Sequence, residues 1–276
     1  MIRERFDAPD HLRDRIASQE RGEVEPVEAR LAATVVLLRD SPSGLQVYLL
    51  LRHQAMAFAA GVYVFPGGGV DERDSDTSLG WAGPSPGVWA KRLGCDEASA
   101  RALVCAAVRE TYEESGVLLA GRDAACVVAD TAGDAWEADR IRMEKHELST
   151  TDFLEGRDLV LRADLLVAWA HWITPEIEPR RYDTHFFVAA MPEGQHTRDV
   201  STESSEVTWM GLAEVIDGVS SDAVAMMAPT LSVCRDLAAY DTIAEVFAAA
   251  YDREIPVVLP RFVIEGEDVY LERDPE

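Results

Sequence analysis

The stretch that most constrains the fold is "DEASARALVCAAVRETYEESG", residues 96–116. It is rich in alanine, opens on acidic residues and stops at Gly116, which together mark an α-helix with a glycine at its C-terminal boundary. Leu103, Ala106 and Ala107 give it an apolar side, while Arg109, Glu110, Glu113 and Glu114 crowd its end. Glu110 and Glu114 stand four apart, about 6 Å of axial rise on nearly one face, and Glu113 flanks that face. Like charges at this spacing repel, and acids near a helix C-terminus oppose its dipole. Two accounts are open at this point. One is a solvated acidic face partly neutralised by Arg109. The other is a divalent-cation site, since oxygen-seeking Mg²⁺ suits two or three carboxylates on one helix.

A second stretch, "VYVFPGGGVDERDSD", begins as a short apolar strand and ends at Pro66, which removes a ladder donor. Three bare glycines and a run of acids follow. Alone, it reads equally well as a hairpin turn at a strand end.

Composition narrows the partners. The chain has 276 residues with 47% apolar content, enough for one large domain or one domain with additions. Fifty acidic against 26 basic side chains give a formal charge of −24. No basic patch is evident, and the paired Arg180 and Arg181 sit among acids, so neither a nucleic-acid groove nor an anionic membrane is expected as partner. A small polyanion is not excluded, because a bound cation inverts the local field. Cys95, Cys105, Cys126 and Cys234 show no CxxC spacing and read as reduced thiols. The charged N-terminus lacks the apolar core of a secretory signal, and no stretch approaches a membrane span; a cytoplasmic location is expected.

Along the chain, residues 1–29 read as an arm with some helix. "LAATVVLLRD" and "LQVYLLLRH" flank a Ser-Pro-Ser-Gly turn and read as adjacent strands. Residues 72–95, with scattered Gly and Pro, read as an irregular insertion loop anchored by Trp81 and Trp89; a loop this long is unusual without a role. Residues 136–162 are helical in part. "LLVAWAHWITP" and "THFFVAAMP" are two further strands, and "EVTWMGLAEVIDG" runs from strand into helix. More helix follows, interrupted at Pro229, and "RFVIEGEDVYLERD" forms a hairpin about Glu265-Gly266. Mixed strands with several helices indicate an α+β or three-layer α/β/α domain. The division expected is 1–29, 30–218 and a helical extension over 219–276 packed on the same domain.

Taken together, the glycine loop and the glutamate helix resemble the Nudix hydrolase signature. Gly68 fits its opening glycine; Arg109, Glu110, Thr111, Glu113, Glu114, Gly116 and Val117 fit its helix half, with Thr111 where an aliphatic residue is usual. The family's compact motif has a glutamate where this chain has Arg101; Glu97 either replaces its function or helps cap the helix. The long loop resembles the subgroup acting on coenzyme A and its esters, matched here by Arg52, Gly61, Phe65, Pro66, Gly67, Gly68 and Asp71. His53 and Ala57 depart from that pattern, Ala57 standing where the subgroup has a second arginine.

The resemblance implies a Nudix-type α/β/α sandwich with a mixed sheet and added C-terminal helices. It implies hydrolysis of a pyrophosphate bond in a nucleoside diphosphate derivative, with Mg²⁺ or Mn²⁺ held by Glu110, Glu114 and Glu113. Arg109 would orient the loop, Gly67 and Gly68 would admit the backbone beside the helix, and Arg52 and Asp71 would bind substrate or shape the loop. The favoured substrate is coenzyme A or an acyl-CoA; ADP-ribose, NADH, or a non-catalytic nucleotide-binding regulator are the alternatives. Glu110 or a remote-loop acid, Glu203 or Glu206, is a candidate base, although both loop acids read equally as solvated. Arg180 and Arg181 are candidates for a phosphate. His171, His185 and His196 show no ligand spacing and read as structural or surface residues. Trp169 and Trp172, three apart in a strand, are expected on opposite faces. The C-terminal helices either cover the cleft or form a homodimer face.

Overall fold

A computed structural model of the chain describes residues 2–6, 10–23, 25–54, 60–202, 204–266 and 268–274. A mixed central sheet carries the fold. Its long strands are β2 (Arg30–Ser41), β3 (Gly44–Arg52), β9 (Leu166–Ile173), β10 (Tyr182–Ala190) and β11 (Ser204–Gly211), completed by the short β4 (Tyr63–Val64), β5 (Gly67–Gly69) and β12 (Val257–Val258). Strand order is β11-β3-β2-β10-β9-β12, with β4 on β3 and β5 on β2. β2 runs parallel to β10 and antiparallel to β3 and β5. The Val- and Leu-rich run of β2 is buried on both faces, as its unbroken apolar pattern requires. Val35 and Leu37 face one core cluster, Val36 and Leu38 the other.

Helix α3 (Glu97–Ser115) fills the first face, packed beneath α2 (Pro86–Leu93), α4 (Asp134–Glu144) and α5 (Thr150–Glu155). The opposite face is covered by α6 (Leu212–Ser220), α7 (Ala228–Leu237) and α8 (Ile243–Asp252), through Val215, Val233, Leu237 and Val246. The result is an α+β fold, helices on either side of a mixed sheet with extra C-terminal helices. Two smaller sheets flank it. One joins β6 (Trp81–Ala82), β7 (Ala120–Gly121) and β8 (Val160–Arg162); the other joins β1 (Ile2–Phe6), β13 (Arg261–Glu265) and β14 (Asp268–Arg273). Among the described residues no helix is long and apolar enough to cross a membrane.

Several expectations need correction. The stretch 72–95 is ordered structure: a 3₁₀ turn over Glu72–Ser75, strand β6 and helix α2, which starts with a proline and stops at Gly94 with φ +69°. Trp89 is buried edge-on to Phe187, with ring centroids 5.7 Å apart, so the insertion packs onto the core. The N-terminal stretch also belongs to a sheet, since β1 pairs with β14 and α1 (Asp10–Glu20) buries Leu12 and Ile16 against Val269. Pro229 lies in the first turn of α7, where its missing N–H costs nothing. Trp169 and Trp172 share one face, because the β9–β10 register shifts between Phe186, opposite Ala170, and Phe187, opposite Ala168. The bulge at Trp169 resets the alternation.

Candidate active site

Asp96 starts α3 by accepting hydrogen bonds from the N–H groups of Ala98 and Ser99 at 2.9 and 3.0 Å. Gly116 ends it in the left-handed region, φ +73°. Sheet and overlying helices bury α3 nearly all round, which is why its apolar pattern is not a narrow stripe. Thr111 is fully buried, and its hydroxyl donates to Ala107 O at 2.7 Å; its polarity at an apolar position is thereby satisfied within the helix.

The acidic end is not a solvated face. Glu113 and Glu114 are 7% and 9% exposed. Glu114 and Glu110 meet strand β5 at Gly67 and Gly68, while Glu113 lies against Arg109. Gly67 N–H donates to Glu114 Oε2 at 2.8 Å. A Cβ on Gly68 would meet the Glu110 carboxylate, 2.6 Å from its Cδ, and one on Gly67 would lie 2.6 Å from Ala33 O. Only glycine lets strand β5 lie this close to both β2 and the helix.

Arg109 ties the cluster together. Its guanidinium donates to Glu110 Oε1 at 2.6 Å, Glu113 Oε2 at 3.4 Å and Gly69 O at 2.9 Å. It also forms a two-pronged pair with Asp74, at 3.1 and 2.8 Å. Burial works against its charge, but Glu110, Asp74 and Glu113 hold its pKa above the ordinary value. Burial pushes Glu113 up to about 8 despite Arg109, and among the described residues Glu113 Oε1 is buried with no hydrogen-bond partner.

Asp74 is the residue missed in the sequence. It is 1% exposed and also accepts from Asp71 N–H at 2.9 Å. It lies in the 3₁₀ turn that opens the insertion, so the acid that engages Arg109 comes from outside the helix. Glu97 does not supply it: as the first residue of α3 it lies about 18 Å of helical rise from Arg109. Arg101 instead places its guanidinium 5.3 Å from the Trp81 ring centroid, against the insertion. The short interval from Gly68 to Asp74 in "GGGVDERD" was the available signal.

A cavity of about 1000 Å³ opens beside this cluster. Gly67, Gly68, Glu110 and Glu114 line one end, with Arg52 and Asp71 also in its wall. Asp71 caps the 3₁₀ turn and pairs with Arg73 at 2.9 Å; that guanidinium holds its carboxyl below the usual range. Arg180 reaches the cavity wall, whereas Arg181 donates to the backbone carbonyls of Thr174 and Val27 at 3.0 and 2.7 Å, a structural use. Met226, Met227 and Pro229 line the cavity too, so the start of α7 borders the cleft. Trp172 lines this cavity while Trp169 is core. Glu206 is exposed on β11, opposite Leu51 of β3, away from the cavity wall. Glu203 and Ala57 lie outside the described residues.

The structure also joins residues that the sequence left apart. His171, Asp183 and His185 offer ligand atoms all within 4.8 Å of one another, a group that could hold a metal ion. Burial lowers the His185 pKa to about 4, with His171 adding to the effect. The alternation in "DTH", which puts Asp183 and His185 on one strand face, was legible; the cross-strand His171 was not.

Comparison with known proteins agrees with this arrangement. The family pattern described as the NUDT19 Nudix domain matches residues 96–236, about half of the chain. A Caenorhabditis elegans protein named "Putative nudix hydrolase 7" is 27% identical over 205 residues, 72% of this chain and 57% of that protein; the chain thus spans little more than half its length. The acyl-coenzyme A diphosphatase NUDT19 of Xenopus laevis is 24% identical over 286 residues, covering 86% of this chain and 74% of the relative. That of Gallus gallus is 26% identical over 309 residues, covering 90% and 81%. A crystal structure of a NUDIX hydrolase from Alicyclobacillus acidocaldarius shares the fold, with a TM-score of 0.69 at 24% identity over 83% of this chain and 99% of that one. The chain, a Nudix-fold hydrolase, belongs to the NUDT19 Nudix domain family.

Proposed function

We propose that the chain hydrolyses the pyrophosphate bond of coenzyme A or an acyl-CoA, giving 4'-phosphopantetheine (or its acyl form) and adenosine 3',5'-bisphosphate. One observation carries the reading: a single cavity of about 1000 Å³ joins the carboxylate end of α3 to Arg30, Arg52 and Arg180 and to an apolar wall of Trp172, Phe262 and Met226. Carboxylates, cations and apolar surface in one cleft suit a molecule with a diphosphate at its centre and an apolar arm. The names of the vertebrate relatives support the same substrate class.

The donor set at the end of α3 fits Mg²⁺ or Mn²⁺. It is all oxygen, two of the three carboxylates share one guanidinium, and Glu113 Oε1 is buried with no partner among the described residues. Glu110, Glu114 and Glu113 would hold the ion, which when bound neutralises charge on phosphate oxygens and lowers the pKa of a water. The remaining work falls to the chain. Gly67 N–H aims the Glu114 carboxylate through its 2.8 Å hydrogen bond. Arg109, anchored by Asp74, holds Glu110 against the glycine turn. Glu110 lines the cavity and is the carboxylate we assign to take the proton of the attacking water. Arg52, Arg180 and Arg30 face the substrate's anionic groups.

The test is a panel of coenzyme A, an acyl-CoA, ADP-ribose and NADH, each with and without Mg²⁺ or Mn²⁺, with products resolved by mass. The reading expects metal-dependent release of 4'-phosphopantetheine with the 3'-phosphate retained on the nucleotide. Turnover confined to ADP-ribose or NADH, or none at all, overturns it.

A further inference from the structure

His185 of β10 lies directly across from His171 of β9, and Asp183 projects from the same face two residues earlier. The imidazoles stack with centroids 3.8 Å apart and planes 25° apart. Both turn Nε2 towards Asp183 Oδ1: that of His171 is in direct contact, and that of His185 is 3.9 Å away. His185 is 2% exposed, and its buried Nδ1 has no hydrogen-bond partner among the described residues. Nε2, on the side of Asp183, is the ring atom within reach of a shared ligand. The register partners of His185 are His171 and the apolar Ala33, and Phe187 follows two residues on along the same strand face.

We propose that His171, Asp183 and His185 form a second metal site for a first-row transition ion of the Zn²⁺ class, separate from the carboxylates of α3. Two imidazole nitrogens and one carboxylate oxygen match the ligand preference of Zn²⁺ and its neighbours, whereas Mg²⁺ takes oxygen. None of the three residues lines the large cavity. Strand alternation explains this, since Thr184 and Phe186, which do line it, point to the other face of the sheet. His171 instead borders a separate cavity of about 270 Å³, with Asp236, Arg253 and Glu254, which gives an ion a way in. Metal–ligand bonds of about 2.0–2.2 Å require the His171–Asp183 contact to open and the His185–Asp183 gap to close, small side-chain rotations on fixed strands. Three protein ligands leave one position for water. The ion would act on stability: His171, His185, Ala33 and Gly68 follow one another in register across β9, β10, β2 and β5, so a clamp between β9 and β10 braces the strands behind the glycine turn.

The experiment uses the untagged full chain, stripped with a chelator and titrated with Zn²⁺ alone against a chromophoric competitor. Melting temperature and, with Co²⁺ in place of Zn²⁺, visible absorption are followed alongside. With excess Mg²⁺ present to occupy the carboxylates of α3, wild type and Glu114→Gln are expected to bind one equivalent of Zn²⁺ and to melt higher with it. Asp183→Asn, isosteric at a position only half-buried, and His171→Gln are expected to lose at least ~10-fold in affinity, along with the thermal gain and the Co²⁺ spectrum; circular dichroism confirms that each is folded. Failure of wild type to retain Zn²⁺ overturns the proposal. So does retention of equal affinity in both variants, which would place the ion elsewhere.

Discussion

Replacing Asp74 by alanine tests how α3 is held. The side chain is 1% exposed, and its two oxygens meet the Arg109 guanidinium at 3.1 and 2.8 Å. Removing one partner of a buried pair costs about 3–5 kcal/mol. Arg109 keeps Glu110, Glu113 and Gly69 O as partners, which places this loss near 3 kcal/mol. The Asp71 N–H also loses its acceptor, adding about 1 kcal/mol. A total of about 4 kcal/mol corresponds to a melting temperature lower by roughly 8–16 °C in a domain this large. Asp74→Asn, which retains one acceptor, should cost only about 1–2 kcal/mol. Urea unfolding followed by circular dichroism measures both. A change below about 1 kcal/mol for the alanine variant would mean that the Asp74–Arg109 pair does not hold the insertion to α3.

The two glycines should separate stability from activity. Gly68→Ala meets first the Glu110 carboxylate, so stability should change by less than about 1 kcal/mol while turnover falls on the order of 100-fold. Gly67→Ala meets the backbone of Ala33 and Thr34 and should destabilise by about 1–3 kcal/mol; the reverse pattern in unfolding and kinetic assays would refute the packing described. For acid stability, Asp71 has a folded-state pKa below its unfolded value because of Arg73, with Arg109 adding to the effect and His146 lying 3.4 Å away. Its contribution is therefore present above the unfolded value of 3.8 and lost as pH falls below it. Wild type should exceed Asp71→Asn in stability at pH 6, with the gap closing towards pH 2; a constant gap in unfolding scans would count against the pair.

The sequence made the long elements plain because their signals are local. The apolar run of β2, the caps of α3 and the turn at Gly266 each follow from a few neighbouring residues. The convergence of Gly67 and Gly68 with Glu110 and Glu114 was legible as a motif. Asp74 was not, because the rest of the insertion separates it from Arg109, and the motif spacing points instead to Arg101 and Glu97 within the helix. The order in residues 72–95 was hidden because its core contact, Trp89 against Phe187, joins distant parts of the chain. The bulge that brings Trp169 and Trp172 to one face depends on β9–β10 register, which alternation alone cannot reveal. The same register pairs His171 with His185.

If the carboxylates of α3 carry out pyrophosphate hydrolysis in this cleft, their removal must abolish turnover while leaving the fold intact. The most direct measurement is kcat and KM for Mg²⁺-dependent coenzyme A cleavage by wild type, Glu110→Gln and Glu114→Gln, each checked for fold by circular dichroism. The account predicts kcat lower by at least ~100-fold in both variants, with KM changed far less. Wild-type turnover in either folded variant would contradict it.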